Sequence, residues 1–86
     1  MYKSDIKLFM KVKVLFFGVL SEITGAGIKF YNDVKSIEHL RQRVSDDFPE
    51  TIHYRFKVSL NNEFINGDSE LKDGDEVAFL PPFAGG

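Results

Sequence analysis

The sequence contains no cysteine in its 86 residues. A disulfide framework, a zinc ribbon and a thiol nucleophile are therefore excluded within this chain, and the absence is typical of a cytosolic protein. Long hydrophobic runs are also missing, so no segment approaches the length that spans a bilayer, and the first residues lack the pattern of a signal peptide. We expect a cytoplasmic protein that does not bind a membrane.

An excess of positive charge is missing too. Eleven Lys and Arg residues against 13 Asp and Glu residues leave a net charge of -2. A nucleic-acid partner is therefore not expected, because such proteins carry a basic surface. The length predicts one small domain, near the lower size limit for folding without a disulfide or a metal. A hydrophobic fraction of 43%, with nine Phe, indicates that this domain has a core.

Alternating apolar residues predict the first strand. From Ile6 to Phe16 every second residue is apolar, which is the period of a β-strand. Leu15 and Phe17 in the other register predict that both faces are buried near the end of this strand, as in a central strand. Residues 1–9 precede Met10 and are interpreted as an N-terminal extension, which either continues the strand or is loosely ordered.

Helical spacing appears twice. A short helix is predicted over residues 19–24, ended by Gly25 and Gly27. A longer helix begins at the predicted N-cap Ser36 and ends before Pro49. Its single apolar stripe needs a sheet to pack on. The stripe consists of Ile37, Leu40, Val44 and Phe48.

Alternation and turn residues predict the remaining strands. The turns are Asn61-Asn62, Asn66-Gly67-Asp68 and Asp73-Gly74-Asp75. The predicted order is strand, short helix, strand, long helix and three strands, with the first and last strands in one sheet. This order indicates an α+β roll with a mixed sheet of about five strands. The four strands after the first are centred on Ile28–Tyr31, Tyr54–Leu60, Phe64–Ile65 and Glu76–Leu80.

The last six residues do not fit a core. Pro81 and Pro82 lack backbone donors and end the ladder of the last strand. Phe83 is a large apolar side chain with nothing after it to cover it, and Gly85 and Gly86 carry no side chain. We therefore interpret residues 1–80 as the domain and residues 81–86 as an extended tail that ends in a free carboxylate.

Three stretches of this sequence carry a family resemblance. They are residues 12–25, residues 60–63 and residues 71–86, and the third joins the last turn, the last strand, the proline pair and the terminal diglycine without a gap. The chain resembles the MoaD family, the small subunits of molybdopterin synthase, which are ubiquitin-like β-grasp sulfur carriers. It departs from the family pattern in the extension before Met10 and in Phe83, where the family more often has a smaller residue.

The resemblance implies a chemical role for Gly86. A carboxylate is an unreactive acyl donor, so it must be activated before sulfur can be attached. The family relationship implies that a ubiquitin-activating-like enzyme uses ATP to adenylate Gly86, which then becomes a thiocarboxylate. The loaded tail would supply sulfur for the dithiolene of molybdopterin in a heterotetramer, where the large subunit holds the catalytic side chains. No stably bound cofactor is expected in this chain.

Partner contacts are expected from the tail and from one face of the sheet. The proline pair would stiffen the tail, Phe83 would anchor in an apolar pocket, and Ala84 and Gly85 would allow entry into a narrow channel. If the opposite register faces the long helix, four apolar residues point outward and form a docking patch, unless the short helix and the N-terminal extension cover them. These are Leu15, Phe17, Ala78 and Leu80.

Other interpretations remain open at this point. The same tail would suit a sulfur carrier for thiamine or tRNA thiolation, a ubiquitin-like modifier conjugated through Gly86, or an interaction domain with an inert tail. The two histidines, His39 and His53, are far apart in the sequence, and Asp73 and Asp75 are explained by turn formation. We therefore expect no metal site.

Overall fold

The computed structural model describes residues 10–81. Within this range the elements follow the predicted order, with one addition after the long helix. They are β1 (Lys11–Phe16), α1 (Val19–Thr24), β2 (Ile28–Asn32), α2 (Ile37–Asp47), a 3-10 helix (Pro49–His53), β3 (Lys57–Leu60), β4 (Glu63–Ile65) and β5 (Glu76–Leu80). No helix of the described range is long and apolar enough to cross a membrane.

The five strands form one mixed sheet with β5 at its centre. The strand order is β2-β1-β5-β3-β4, and β1 and β5 are parallel whereas the other pairs are antiparallel. The predicted α+β roll, with its first and last strands in one sheet, is confirmed. Because β5 has a neighbour on each side, the strand that leads into the tail is held by two ladders of hydrogen bonds.

The core lies between α2 and one face of this sheet. The stripe of α2 predicted from the sequence is confirmed, since Ile37, Leu40 and Val44 are buried with the sheet in one cluster and Phe48 packs against it. Phe79 of β5 is 1% exposed. Its ring centroid lies 5.7 Å from that of Phe16 and 4.9 Å from that of Phe56. The sheet residues of this cluster include Val12, Val14, Phe16, Val58, Val77 and Phe79.

The N-terminus of α2 is capped from two directions. The Ser36 hydroxyl accepts a hydrogen bond from the backbone N–H of His39 at 3.1 Å, which confirms the predicted N-cap. From the loop before β5, the Asp68 carboxylate accepts one from the N–H of Glu38 at 2.9 Å. The Ser69 carbonyl accepts one from the N–H of Ile37 at 2.9 Å. These contacts fix the loop against the helix and satisfy donors that the first turn leaves free.

The structure corrects two details of the sequence interpretation. Phe17 lies beyond the end of β1 and is 44% exposed, so the end of the strand does not bury both faces. The strand predicted from Tyr54 begins only at Lys57, because the 3-10 helix Pro49–His53 occupies the preceding residues and Tyr54 is its C-cap. The part of the first strand predicted before Met10 lies outside the described residues.

Candidate functional site

The chain leaves the sheet at the end of β5. The strand ends at Leu80, as predicted, and Pro81 follows as a half-buried residue with no assigned secondary structure. Proline has no backbone donor to continue the ladder. Pro82, Phe83, Ala84, Gly85 and Gly86 lie outside the described residues, so the roles expected for them stay predictions.

Where the chain leaves the sheet, Gly18 lies directly against Pro81. A Cβ built on Gly18 would lie 2.9 Å from Pro81 Cγ and 3.5 Å from Pro81 Cδ. Gly18 also has φ of 61°, which a residue with a Cβ adopts only at a cost. The turn between β1 and α1 therefore requires glycine for two reasons. One is the positive φ, and the other is the space taken by Pro81, the first residue of the tail.

The outer face of the sheet carries the residues predicted to form a docking patch. Their orientation agrees with the prediction, because Val12, Val14, Phe16, Val77 and Phe79 are buried in the core on the other face. Leu15, Phe17, Ala78 and Leu80 line a depression of about 200 Å³ together with Ser59, Asn62, Phe64 and Glu76. We refer to Leu15, Phe17, Phe64, Ala78 and Leu80 as the outer-face patch.

The short helix does not cover this patch. Leu20 of α1 is 1% exposed and belongs to the core cluster, and Val19 and Ile23 pack against that cluster. In the described part of the chain Phe17 is 44% exposed and Phe64 is 62% exposed. The proposed cover by residues 1–9 lies outside that part. Exposed aromatic side chains around an apolar depression are typical of a protein interface.

Sequence reasoning missed three apolar residues of the outer face. Phe64 of β4 lines the depression, and β2 adds Ile28 and Phe30, which are 50% and 56% exposed. Ile28 pairs with Leu15 and Phe30 pairs with Lys13, so both lie on the outer side of the sheet. The alternation of β2 was the available signal, because it places Tyr31 on the core face and Ile28 and Phe30 on the opposite face.

Three of the four polar residues weighed as site candidates have structural partners among residues 10–81, and the fourth, His53, is an exposed residue at the end of the 3-10 helix. His39 Nδ1 accepts a hydrogen bond from the backbone N–H of Lys35 at 3.1 Å. Asp73 accepts one from the N–H of Lys11 at 2.8 Å, and Asp75 accepts one from the N–H of Lys72 at 2.8 Å. Both aspartates thus stabilise the turn before β5. Among residues 10–81 no group of three His, Cys, Asp or Glu residues is placed to hold a metal ion.

Tyr31 is a core residue. Its hydroxyl donates a hydrogen bond to Asp47 Oδ2 at 3.1 Å, and the side chain is 3% exposed. Burial and the neighbouring carboxylate raise the pKa of Tyr31 far above its usual range. The phenol therefore remains protonated and holds the end of α2 against β2.

Fold and site together define a ubiquitin-like β-grasp protein with an apolar outer sheet face. The fold is similar to that of a putative molybdopterin converting factor subunit 1 from Pyrococcus furiosus, with a TM-score of 0.79 at 21% identity over 86% of this chain and 99% of that one. It is also similar to small archaeal modifier protein 1 from Methanosarcina acetivorans, with a TM-score of 0.77 at 23% identity over 91% and 98%.

The chain belongs to the ThiS family, which it matches over residues 14–86. It is 35% identical over 80 residues to the molybdopterin synthase sulfur carrier subunit of Escherichia coli, covering 87% of this chain and 99% of that protein. The corresponding subunit of Chlamydomonas reinhardtii is 31% identical over 83 residues, covering 90% and 100%. A complex of subunits 1 and 2 of the molybdopterin-converting factor from Helicobacter pylori contains a similar chain, with a TM-score of 0.67 and 29% identity over 90% and 100%.

Proposed function

We propose that this chain is the sulfur carrier subunit of a molybdopterin synthase, which acts in molybdenum cofactor biosynthesis. The observation that carries the proposal is that the match to the ThiS family runs through the terminal diglycine to Gly86. The match therefore includes the group that would react as well as the domain that presents it. The relatives named as molybdopterin synthase sulfur carrier subunits support this choice over the other carrier pathways.

Loading of Gly86 proceeds in two steps. The carboxylate attacks the α-phosphorus of ATP on an adenylating partner, which forms an acyl-adenylate and releases pyrophosphate. A sulfur nucleophile at the oxidation level of sulfide then displaces AMP and leaves a thiocarboxylate. The chain has no thiol of its own, so the sulfur comes from outside. ATP belongs to the partner, and this chain holds no cofactor of its own.

The domain acts by presenting the tail to the large subunit. Two ladders of hydrogen bonds hold β5, and the contact between Gly18 and Pro81 sets where the chain leaves the sheet. The outer-face patch docks on the large subunit, and the side chains of that subunit catalyse sulfur transfer to the pterin. The two kinds of subunit form a heterotetramer in the cytoplasm. A rigid base on the carrier lowers the entropy that is lost when the tail enters a channel.

The intact mass of the chain tests the loading step. Co-expression with the cognate adenylating enzyme should give the mass increase of one oxygen-to-sulfur exchange, located at Gly86 by fragmentation. A variant without Gly86 should fold like the wild type and show no such increase. Larger species joined through an isopeptide would instead identify a protein modifier.

A second measurement separates the carrier pathways. The thiocarboxylated chain, mixed with the large subunit and the pterin precursor, should form molybdopterin, and its terminus should return to the carboxylate. A loaded chain that transfers sulfur only to a thiamine precursor or to tRNA would contradict the proposal.

A further inference from the structure

Three basic side chains surround Phe56 at one corner of the sheet. Two adjoining depressions of about 370 and 340 Å³ share Arg41 and Phe56 in their walls. Arg55 lines the first depression and Lys57 lines the second. We refer to Arg41, Arg55 and Lys57 as the cationic corner.

The walls of the cationic corner contain no acidic residue. The chain carries a net charge of -2, yet neither depression has an Asp or a Glu in its wall. Surface charges are usually interspersed, so this segregation produces a local positive field in an acidic protein. Such a field favours a ligand that carries carboxylates or other anions.

Arg41 has unused hydrogen-bonding capacity at the centre of this corner. Its guanidinium carbon lies 5.2 Å from the centroid of the Phe56 ring, a cation–π contact that holds the group in place. Its Nε atom is buried and has no hydrogen-bond partner among residues 10–81. A buried donor without a partner lowers stability. The part of the guanidinium that lines the two depressions can meet a carboxylate brought by a partner, which matches its planar fork.

The cationic corner borders both the tail exit and the outer-face patch. Lys57 pairs with Leu80, the last residue of β5, and Phe56 packs on Phe79. Lys57 Nζ also lies 5.8 Å from the centroid of the Phe64 ring, and Phe64 belongs to the outer-face patch. A partner that covers the patch and accepts the tail therefore reaches the cationic corner as well.

The walls of the first depression favour a protein over a small anion. Ile52 is 68% exposed and Tyr54 is 44% exposed, and both lie beside the two arginines. Apolar surface next to arginine is typical of protein interfaces, whose centres are enriched in aromatic residues and arginine. Inorganic phosphate or a nucleotide would leave this apolar surface in water.

We propose that Arg41, Arg55 and Lys57 bind an acidic segment of the large subunit that lies beside the channel for the tail. This inference rests on the proposed function, because it assigns the occupant through the same partner. The contact speeds encounter by electrostatic attraction and fixes the direction from which the tail enters. The outer-face patch supplies the apolar part of the same interface.

Binding to the large subunit at two salt concentrations tests this assignment. At low salt the double variant R55Q/K57Q should bind roughly 10-fold more weakly than the wild type, mainly through a slower association rate. At about 0.5 M salt the difference should fall to roughly 2-fold, because exposed charges are screened. Arg41→Gln should weaken binding further and raise the dissociation rate, since its donors would be desolvated in the complex.

Lys72→Gln serves as the matched control. Lys72 is exposed and lies in the turn before β5, at the end of the sheet opposite the tail exit. Like each substitution of the double variant, Lys72→Gln removes one positive charge, and it should bind within roughly 2-fold of the wild type at both salt concentrations. The R55Q/K57Q variant changes two exposed side chains, so it also keeps the test valid if Arg41→Gln impairs folding.

The possible results separate this inference from the proposed function. Equal salt-dependent binding by the wild type and R55Q/K57Q would overturn the cationic corner while leaving the carrier role intact. Weakened binding to the adenylating enzyme alone would overturn the choice of the large subunit as occupant. If added inorganic phosphate weakens binding of the wild type to the large subunit but leaves binding of R55Q/K57Q unchanged, the cationic corner is a small-anion site instead. A wild-type chain that neither binds the large subunit nor gains sulfur would overturn the proposed function as well.

Discussion

Gly18 and Pro81 are so close that a Cβ on Gly18 would lie 2.9 Å from Pro81 Cγ. The contact joins the turn after β1 to the first residue after β5, which are neighbouring strands in the sheet. The pyrrolidine ring is stiff, so a larger residue at position 18 has to move Pro81 itself. The start of the tail is thus positioned by a glycine more than sixty residues away in the sequence.

We expect Gly18→Ala to lower the free energy of unfolding by about 1–2 kcal/mol, because it adds positive-φ strain to the clash with Pro81. Sulfur transfer to the pterin precursor on the large subunit should slow, since the base of the tail is displaced. Urea denaturation and a single-turnover transfer assay measure the two effects.

Gly25 and Gly27 are controls that distinguish the effect of backbone strain from the effect of displacing Pro81. Gly25 has φ of 73° and Gly27 has no positive φ, and a Cβ at either position meets nothing within 4 Å. Gly25→Ala should therefore reduce stability by about 1 kcal/mol with normal transfer, and Gly27→Ala should change neither. Transfer slowed equally by Gly18→Ala and Gly25→Ala would show that the contact with Pro81 has no functional role.

The outer-face patch should contribute to binding and little to stability. Phe64→Ser should weaken binding to the large subunit by roughly 10- to 100-fold, as expected for an aromatic anchor at the centre of an interface. Because Phe64 is 62% exposed, the urea midpoint should change little. Titration calorimetry and urea denaturation provide the two measurements.

Phe30→Ser is the control for that experiment. Phe30 is 56% exposed on the same face of the sheet but lies outside the depression. It should retain binding within roughly 3-fold of the wild type. An equal loss in both variants would mean that the outer face binds through general apolarity rather than through the patch.

Asp68 should make stability depend on pH in the acid range. The backbone N–H of Glu38, followed by that of Ser69, lowers the pKa of the Asp68 carboxyl below its usual value. Because the pKa is lower in the folded state, the stabilisation is complete above the unfolded pKa of about 4 and is lost as the pH falls through the folded pKa. The wild type should therefore lose stability faster than Asp68→Asn between about pH 5 and pH 2.

Urea denaturation across this pH range measures the effect. Asp46→Asn is the control, because Asp46 accepts a hydrogen bond from the exposed Gln42 side chain near the other end of α2. It should follow the wild-type curve. Parallel curves for the wild type and Asp68→Asn would show that the carboxylate does not cap the helix in solution.

The turn between β3 and β4 offers two asparagines with different roles. Asn61 and Asn62 have φ of 51° and 73°, so glycine relieves strain at both. Only the Asn61 side chain holds the start of β5, accepting from the N–H of Glu76 at 2.9 Å and donating to Asp75 at 3.0 Å. Asn61→Gly should therefore destabilise by about 1 kcal/mol, whereas Asn62→Gly should be neutral or stabilising. Thermal unfolding of the two variants compares them directly, and equal shifts would contradict the bridging role of Asn61.

The regular elements were predictable because each had a local signal. The alternation of β1, the glycine after α1 and the cap at Ser36 all lie within a few residues of the structure that they specify. The outward position of Leu15, Phe17 and Leu80 was predicted only on the condition that the opposite register faces the long helix, and the buried core meets that condition. The pairing of the first and last strands in one sheet followed from the element order, whereas the central place of β5 was not predicted.

Contacts between distant segments could not be predicted in the same way. Nothing near Gly18 in the sequence indicates that it will meet Pro81, and nothing near Asp68 indicates that it caps a helix that begins thirty residues earlier. Arg41, Arg55 and Lys57 come from a helix, a loop and a strand, so their shared corner exists only after folding. The 3-10 helix was missed because its five residues extend from the stop signal at Pro49 to the alternation that begins at Tyr54, and they show no helical spacing of their own.

The central position of β5 has a mechanical consequence under the proposed function, in which the carrier passes between two partners. A pull on the C-terminus acts along β5, which is bonded to β1 on one side and to β3 on the other. Both ladders are then loaded in shear, so several hydrogen bonds must break together before the strand can slide. We therefore expect the carrier to be withdrawn from a narrow channel without unfolding, because two ladders hold the strand on which the force acts.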